Sequence, residues 1–118
     1  MATILIADDA AFMRMRCVSL LKDLGHEILE AENGEQAVAL YREQRPDAVL
    51  LDITMPVMDG IEALKEIIAF DPDAKIAMVT AMGQQQVIME AIKLGAKDFV
   101  VKPFDTERIQ EALWKLVG

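Results

Sequence analysis

The chain has 118 residues, 53% of them hydrophobic, a single cysteine and a formal net charge of −8. This is the length and apolar content of one globular domain with one core, which excludes a disordered chain, and one domain over residues 1–118 is expected. The acidic balance argues against a nucleic-acid face or docking on an anionic membrane, and Cys17 alone permits neither an internal disulfide nor a Cys-based zinc site.

A lone cysteine suits a reducing compartment. No apolar run approaches membrane-span length. The first apolar run stops at Asp8 and Asp9, too early for a signal peptide. A cytoplasmic location is the expectation.

Taken in order, Thr3 to Ala7 is a short β-rich run that stops at Asp8-Asp9 and predicts the first strand. Met13, Cys17, Leu20, Leu21 and Leu24 recur at helical spacing, with Gly25 as a C-terminal stop. His26 precedes the next strand and reads as a surface residue. Glu27 to Ala31 predicts that second strand, flanked by charges as an edge strand is. Asn33 caps a second helix, with Gln36 three residues on and an inner stripe of Ala37, Leu40 and Tyr41; Pro46 ends the segment. Ala48 to Leu51 predicts a buried third strand running into Asp52. Ile61, Leu64 and Ile68 mark a third helix, and Asp71-Pro72-Asp73 a turn. Ile76 to Val79 is the fourth strand, ending at Thr80, and Ile88, Ala91 and Ile92 mark the fourth helix, closed by Gly95. Phe99 to Val101 is the fifth strand, ending at Lys102-Pro103. Asp105 or Thr106 caps a last helix whose inner face is Ile109, Ala112, Leu113 and Leu116.

Continuous apolar strands alternating with helices imply an α/β fold, with a parallel sheet covered on both faces. Right-handed crossovers narrow it to a doubly wound five-stranded sheet. Such sheets carry their sites at the carboxyl ends of the strands. There the strands end in Asp8 and Asp9, Asp52, Thr80 and Lys102. Each alone has an ordinary structural explanation, as a helix cap, a strand end or a solvated charge. Together they form an acid cluster, a hydroxyl and an ammonium at one edge.

Two carboxylates about 4 Å apart repel by ~4 kcal/mol at an effective dielectric near 20. The cluster therefore calls for a counter-cation. Lys102 supplies one charge, and Mg²⁺, which takes oxygen ligands and keeps several waters, would supply more and leave room for a phosphate oxygen. This set suits phosphoryl transfer to a carboxylate, giving an acyl phosphate.

Asp8-Asp9, the stretch from Asp52-Ile53-Thr54-Met55-Pro56 to Asp59-Gly60, Thr80-Ala81 and Lys102-Pro103-Phe104 resemble the receiver domains of two-component response regulators. The resemblance covers the whole chain, in the order and spacing of every motif. Asp-Asp-Ala-Ala-Phe-Met-Arg-Met over 8–15 and Ala-Met-Gly-Gln-Gln over 81–85 are similar to the single-domain chemotaxis members. The flavodoxin-like strand order 2-1-3-4-5 follows from the resemblance, not from the pattern.

The resemblance implies the following roles. Asp52 is the phosphoacceptor. Asp9 and Asp52 ligate Mg²⁺ with the backbone carbonyl of Thr54, and Asp8 acts through water. Lys102 pairs with the phosphoryl oxygens, and Thr80 moves to hydrogen-bond them. Phe99 occupies an aromatic position whose rotamer reports the state of Thr80, and Met89 and Trp114 join it on a partner face made by the fourth helix, fifth strand and fifth helix. The Lys102-Pro103 bond is expected to be cis. Neither Thr54 nor Met82, two residues past Asp52 and Thr80, orients water well, which implies a long-lived phosphoryl group cleared by a separate phosphatase.

The implied partners are a histidine kinase as donor and the flagellar motor switch or another downstream protein as target, with the chain a monomer and no enzyme beyond its own phosphorylation and dephosphorylation. Two alternatives stand beside this reading. One is a phosphorelay intermediate, or the receiver of a longer regulator. The other is a different class, an Asp-nucleophile phosphohydrolase, but those similar to haloacid dehalogenases carry a second Asp where this chain has Thr54. A flavodoxin-like carrier is disfavoured because Asp8 and Asp9 would repel its phosphate.

Overall fold

A computed structural model describes residues 2–81 and 85–118. Among these, strands and helices alternate: β1 (Thr3–Ala7), α1 (Ala11–Asp23), β2 (Glu27–Ala31), α2 (Gly34–Gln44), β3 (Ala48–Asp52), α3 (Gly60–Phe70), β4 (Ile76–Ala81), α4 (Gln85–Leu94), β5 (Asp98–Lys102) and α5 (Thr106–Val117). The strands form one parallel sheet in the order β2-β1-β3-β4-β5, as the resemblance implies.

Two apolar layers cover the sheet. Leu5, Val49, Leu51 and Met78 meet Ala37 and Tyr41 of α2, Leu64 and Ile67 of α3, and Ala91 of α4. Ile4, Ile6, Leu50 and Val100 meet Val18 and Leu21 of α1 and Ile109, Leu113 and Leu116 of α5. Side chains of successive strand residues point to opposite faces. Every residue of β3 is buried because a helix layer lies on each side.

Helix starts follow side-chain chemistry. Asn33, Asp59 and Asp105 each accept a hydrogen bond from the backbone N–H three residues on, at 2.8, 2.9 and 2.9 Å. Gln36 reaches back to the N–H of Glu32 at 2.9 Å, one residue before the cap.

Four expectations need correcting. The sheet ladder runs further than the apolar runs: Asp52 pairs with Val79, Thr80 with Val101, and Ala81 with Lys102. Asp52 and Lys102 thus end β3 and β5 from within, and Thr80 lies one residue inside β4, since a side chain's polarity does not stop backbone pairing. In α1 the buried residues are Val18 and Leu21, whereas Leu24 lies past the last turn and is 41% exposed. In α4 only Ala91 is buried and Ile92 is exposed, because a small residue lets the helix sit close while its flanks stay in water. His26 is half-buried, with its Nδ1 accepting the N–H of Ala2 at 3.1 Å. Tying the chain start to β2 is a structural task for it.

Candidate functional site

The carboxyl edge of the sheet gathers the acids onto one point. Asp8 follows β1 and Asp52 ends β3, adjacent strands in the sheet. One carboxylate oxygen from each of Asp8, Asp9 and Asp52 lies within 4.8 Å of the others. Asp8 and Asp52 are buried and Asp9 is exposed, so the cluster is open to solvent on the Asp9 side. Lys102 ends β5, one strand beyond β4, and still reaches them. Its Nζ donates to Asp52 Oδ2 at 2.8 Å and to Asp8 Oδ2 at 3.2 Å. Lys102-Pro103 is cis, as the resemblance implies.

One ammonium is thus shared by two buried carboxylates, and the electrostatics follow. Burial, with repulsion from Asp8, pushes the Asp52 carboxyl above its ordinary value despite Lys102. Burial pulls the Lys102 ammonium down, but Asp52 and Asp8 together outweigh it and leave it raised. These shifts agree: the lysine is well compensated and Asp52 is not. All-oxygen donors with excess negative charge fit a small hard divalent cation.

The remaining residues surround this point. Thr80, fully buried at the end of β4, donates its hydroxyl to the Ala81 carbonyl at 3.2 Å. The Thr54 side chain is exposed, and its N–H donates to Asp52 Oδ1 at 3.4 Å. Met82 lies outside the described residues. Cys17 offers no nucleophile, since burial and Asp8 push its thiol up to about 11.

Away from the acids, Met89, Phe99 and Trp114 are 62%, 37% and 70% exposed on α4, β5 and α5. Beside Phe99 a clamp joins β5 to α5. Buried Asp98 is paired with Arg108 at 3.2 Å and Lys115 at 3.7 Å, and Arg108 also donates to the Phe99 carbonyl. Phe99 and Trp114 therefore sit on elements that this clamp ties together.

Sequence reasoning missed three features that shape the site. Arg14 donates to the Asp8 carbonyl at 2.6 Å. The signal for it was available: Arg14 falls four residues before Val18 on the inner face of α1, where an arginine needs partners. Gly34 and Gly60 allow close approach of backbones. Gly34 donates its N–H to the Met58 carbonyl at 2.8 Å, so that α2 braces the loop after Asp52. Last, Val57 in that loop has a φ of 68°, left-handed and costly for a β-branched residue. It is 76% exposed, so its side chain offsets little of that cost. We expect Val57→Asn, which tolerates this conformation, to raise stability by about 1 kcal/mol. Urea unfolding checks this, and an unchanged or lower midpoint would contradict the strain.

Known proteins match this arrangement. Residues 4–114 match the family described as response regulator receiver domain. The chain is 58% identical to the chemotaxis protein CheY of Bacillus subtilis, over 98% of this chain and 97% of that one. It is 55% identical to CheY of Thermotoga maritima, over 96% and 95%. Among solved structures it superposes on the CheX-CheY-BeF3-Mg complex of Borrelia burgdorferi with a TM-score of 0.92 and 35% identity, covering 98% of this chain and 89% of that one. With acids, hydroxyl and lysine brought to one edge of a 2-1-3-4-5 sheet, and with matches that span nearly the whole chain, this protein belongs to the receiver domain family of two-component response regulators.

Proposed function

We propose that Asp52 accepts a phosphoryl group from a histidine kinase in a Mg²⁺-dependent reaction, and that the α4-β5-α5 face then binds a target, the flagellar motor switch in chemotaxis. One observation carries this reading: Lys102 Nζ lies 2.8 Å from Asp52 and 3.2 Å from Asp8, within a three-carboxylate cluster. The complex of the Borrelia relative, which holds BeF3, Mg and CheX, supports it.

Asp9 and Asp52, with the Thr54 carbonyl, would hold the metal, and Asp8 would act through water. When bound, Mg²⁺ neutralises charge on the phosphoryl oxygens. The chain's own residues do the rest. An Asp52 carboxylate oxygen attacks phosphorus, and the leaving group departs with its electron pair. The Lys102 ammonium shifts from Asp8 and Asp52 to a phosphoryl oxygen. Thr80 exchanges its bond to the Ala81 carbonyl for one to the phosphoryl group.

Those two contacts decide whether the site can act as a switch. Hydrogen bonds to charged groups contribute ~1.5–3 kcal/mol each. Two of them give ~3–6 kcal/mol, against the ~5.5 kcal/mol needed to invert a 1:99 population. The margin is small, so both contacts are needed. Thr80→Ala is expected to phosphorylate nearly as well as wild type while losing most of its phosphorylation-dependent target binding. Equal binding by the phosphorylated variant and wild type would refute the role of Thr80.

The chain acts on itself alone, with a separate phosphatase clearing the acyl phosphate. A cytoplasmic location and a monomeric state belong to the same proposal; among the described residues no helix is long and apolar enough to cross a membrane. The test is intact mass after incubation with acetyl phosphate and Mg²⁺. One added phosphoryl group is expected on wild type and none on Asp52→Asn. An equal adduct on both, or none on either, rejects Asp52 as the acceptor.

A further inference from the structure

Arg14 lies in the second turn of α1 with its side chain 13% exposed. Its guanidinium bridges two elements. On one side Nη1 donates to the Asp8 carbonyl at 2.6 Å. On the other, Nε donates to Glu30 Oε1 at 3.1 Å, and Nη2 is 3.7 Å from Glu32 Oε1. Asp8 is held at three further points: its N–H donates to the Ala31 carbonyl at 3.0 Å, its Oδ1 accepts the N–H of Ala10 at 2.9 Å, and its Oδ2 accepts from Lys102 Nζ at 3.2 Å.

The Asp8 carbonyl and the Asp9 N–H belong to one planar peptide unit. A donor fixed on that carbonyl therefore fixes the plane from which the exposed Asp9 side chain leaves. A planar fork can serve a carbonyl on one edge and carboxylates on the other, whereas an ammonium is a point donor that cannot span both. Glu30 and Glu32 hold the fork from the β2 side and compensate its charge.

We propose that Arg14 is a positioning residue for the acid site: it orients the Asp8–Asp9 peptide so that both carboxylates face the cation and Asp52. This rests on the Mg²⁺-dependent reading given above. The idea makes a prediction of definite sign. Were Arg14 only a nearby positive charge, its removal would tighten cation binding at three carboxylates. As a positioning residue, its loss weakens binding.

The experiment is Mg²⁺ titration by calorimetry on wild type, Arg14→Gln and Arg14→Lys, at a temperature where melting curves show each folded. Both variants are expected to bind Mg²⁺ ~10-fold more weakly, as when a residue that orients a metal ligand is lost. Labelling by acetyl phosphate at subsaturating Mg²⁺ should slow in parallel. If Arg14→Gln fails to fold, Arg14→Lys carries the test, since it keeps the charge and the stem. Affinity that is unchanged or tighter, or fully restored by lysine, overturns the proposal. Such a result alongside normal wild-type binding leaves the phosphoacceptor reading intact. No Mg²⁺ binding by wild type overturns that reading and this proposal together.

Discussion

Gly60→Ala is expected to cost about 4 kcal/mol, a large part of the ~5–15 kcal/mol that holds a domain folded. Gly60 opens α3 and is buried against the end of β3, with its N–H donating to the Ile53 carbonyl at 2.7 Å. A Cβ there would lie 2.8 Å from both the Asp52 carbonyl carbon and the Ile53 Cα. These are backbone atoms at the end of a central strand and just past it, so no side-chain rotation relieves the overlap. Ordinary overpacking costs ~1–3 kcal/mol because side chains shift. Here either α3 or the end of β3 must move. The atoms struck belong to the phosphoacceptor candidate and the residue after it, so any folded fraction should also label poorly with acetyl phosphate. Urea unfolding followed by circular dichroism measures the loss. A change under 1 kcal/mol would mean that α3 can lift away from β3, contrary to the close contact described.

That glycine marks the boundary of what the sequence made legible. β1, β3 and β4 were readable because they are buried on both faces, and so appear as apolar runs with no competing period, whereas the edge strand β2 showed only as a short run flanked by charges. Helix starts were readable where a short polar side chain caps, as at Asn33 and Asp105. The acids, Thr80 and Lys102 could be assembled because the fold places every strand end on one edge, and adjacency at that edge needs no side-chain detail. Arg14 was harder to see. Its partners are a backbone carbonyl, Glu30 on β2 and Glu32 just past it, and a carbonyl has no signature in a sequence. Gly60 and Val57 depend on how closely one backbone passes another, or on the φ that a loop must take to close. The inner faces of α1 and α4 were misjudged at Leu24 and Ile92 for a related reason. Periodicity gives the direction of a helix face but not how far the helix extends over the sheet.

Asp52→Asn should be more stable than wild type without divalent cations at pH 7, by about 1 kcal/mol or roughly 4 °C in Tm. Burial, with repulsion from Asp8, raises the Asp52 pKa above its ordinary 3.8 in the folded state. For a carboxyl shifted upward, folding is favoured while the group is protonated in both states, and that stability is lost as pH rises through the folded pKa. At neutral pH wild type has lost it, whereas an uncharged amide has nothing to lose. The gap should therefore close as pH falls below about 3.8, where Asp52 is protonated folded or unfolded. Lys102 does not reverse the sign. It keeps Asp8 at 3.2 Å in the variant, and its own raised pKa places its contribution across the whole neutral range, to be lost only at alkaline pH. Magnesium should oppose the gap. A ligand at about ten times its Kd stabilises the folded state by ~1.4 kcal/mol, and losing a carboxylate weakens its binding to the variant. Wild type should then equal or overtake Asp52→Asn in millimolar Mg²⁺. Melting curves at two pH values, with and without Mg²⁺, give all four comparisons. If the variant is the less stable protein at neutral pH without metal, Lys102 compensates Asp52 fully, and the residual charge that would draw a cation to the site is not there.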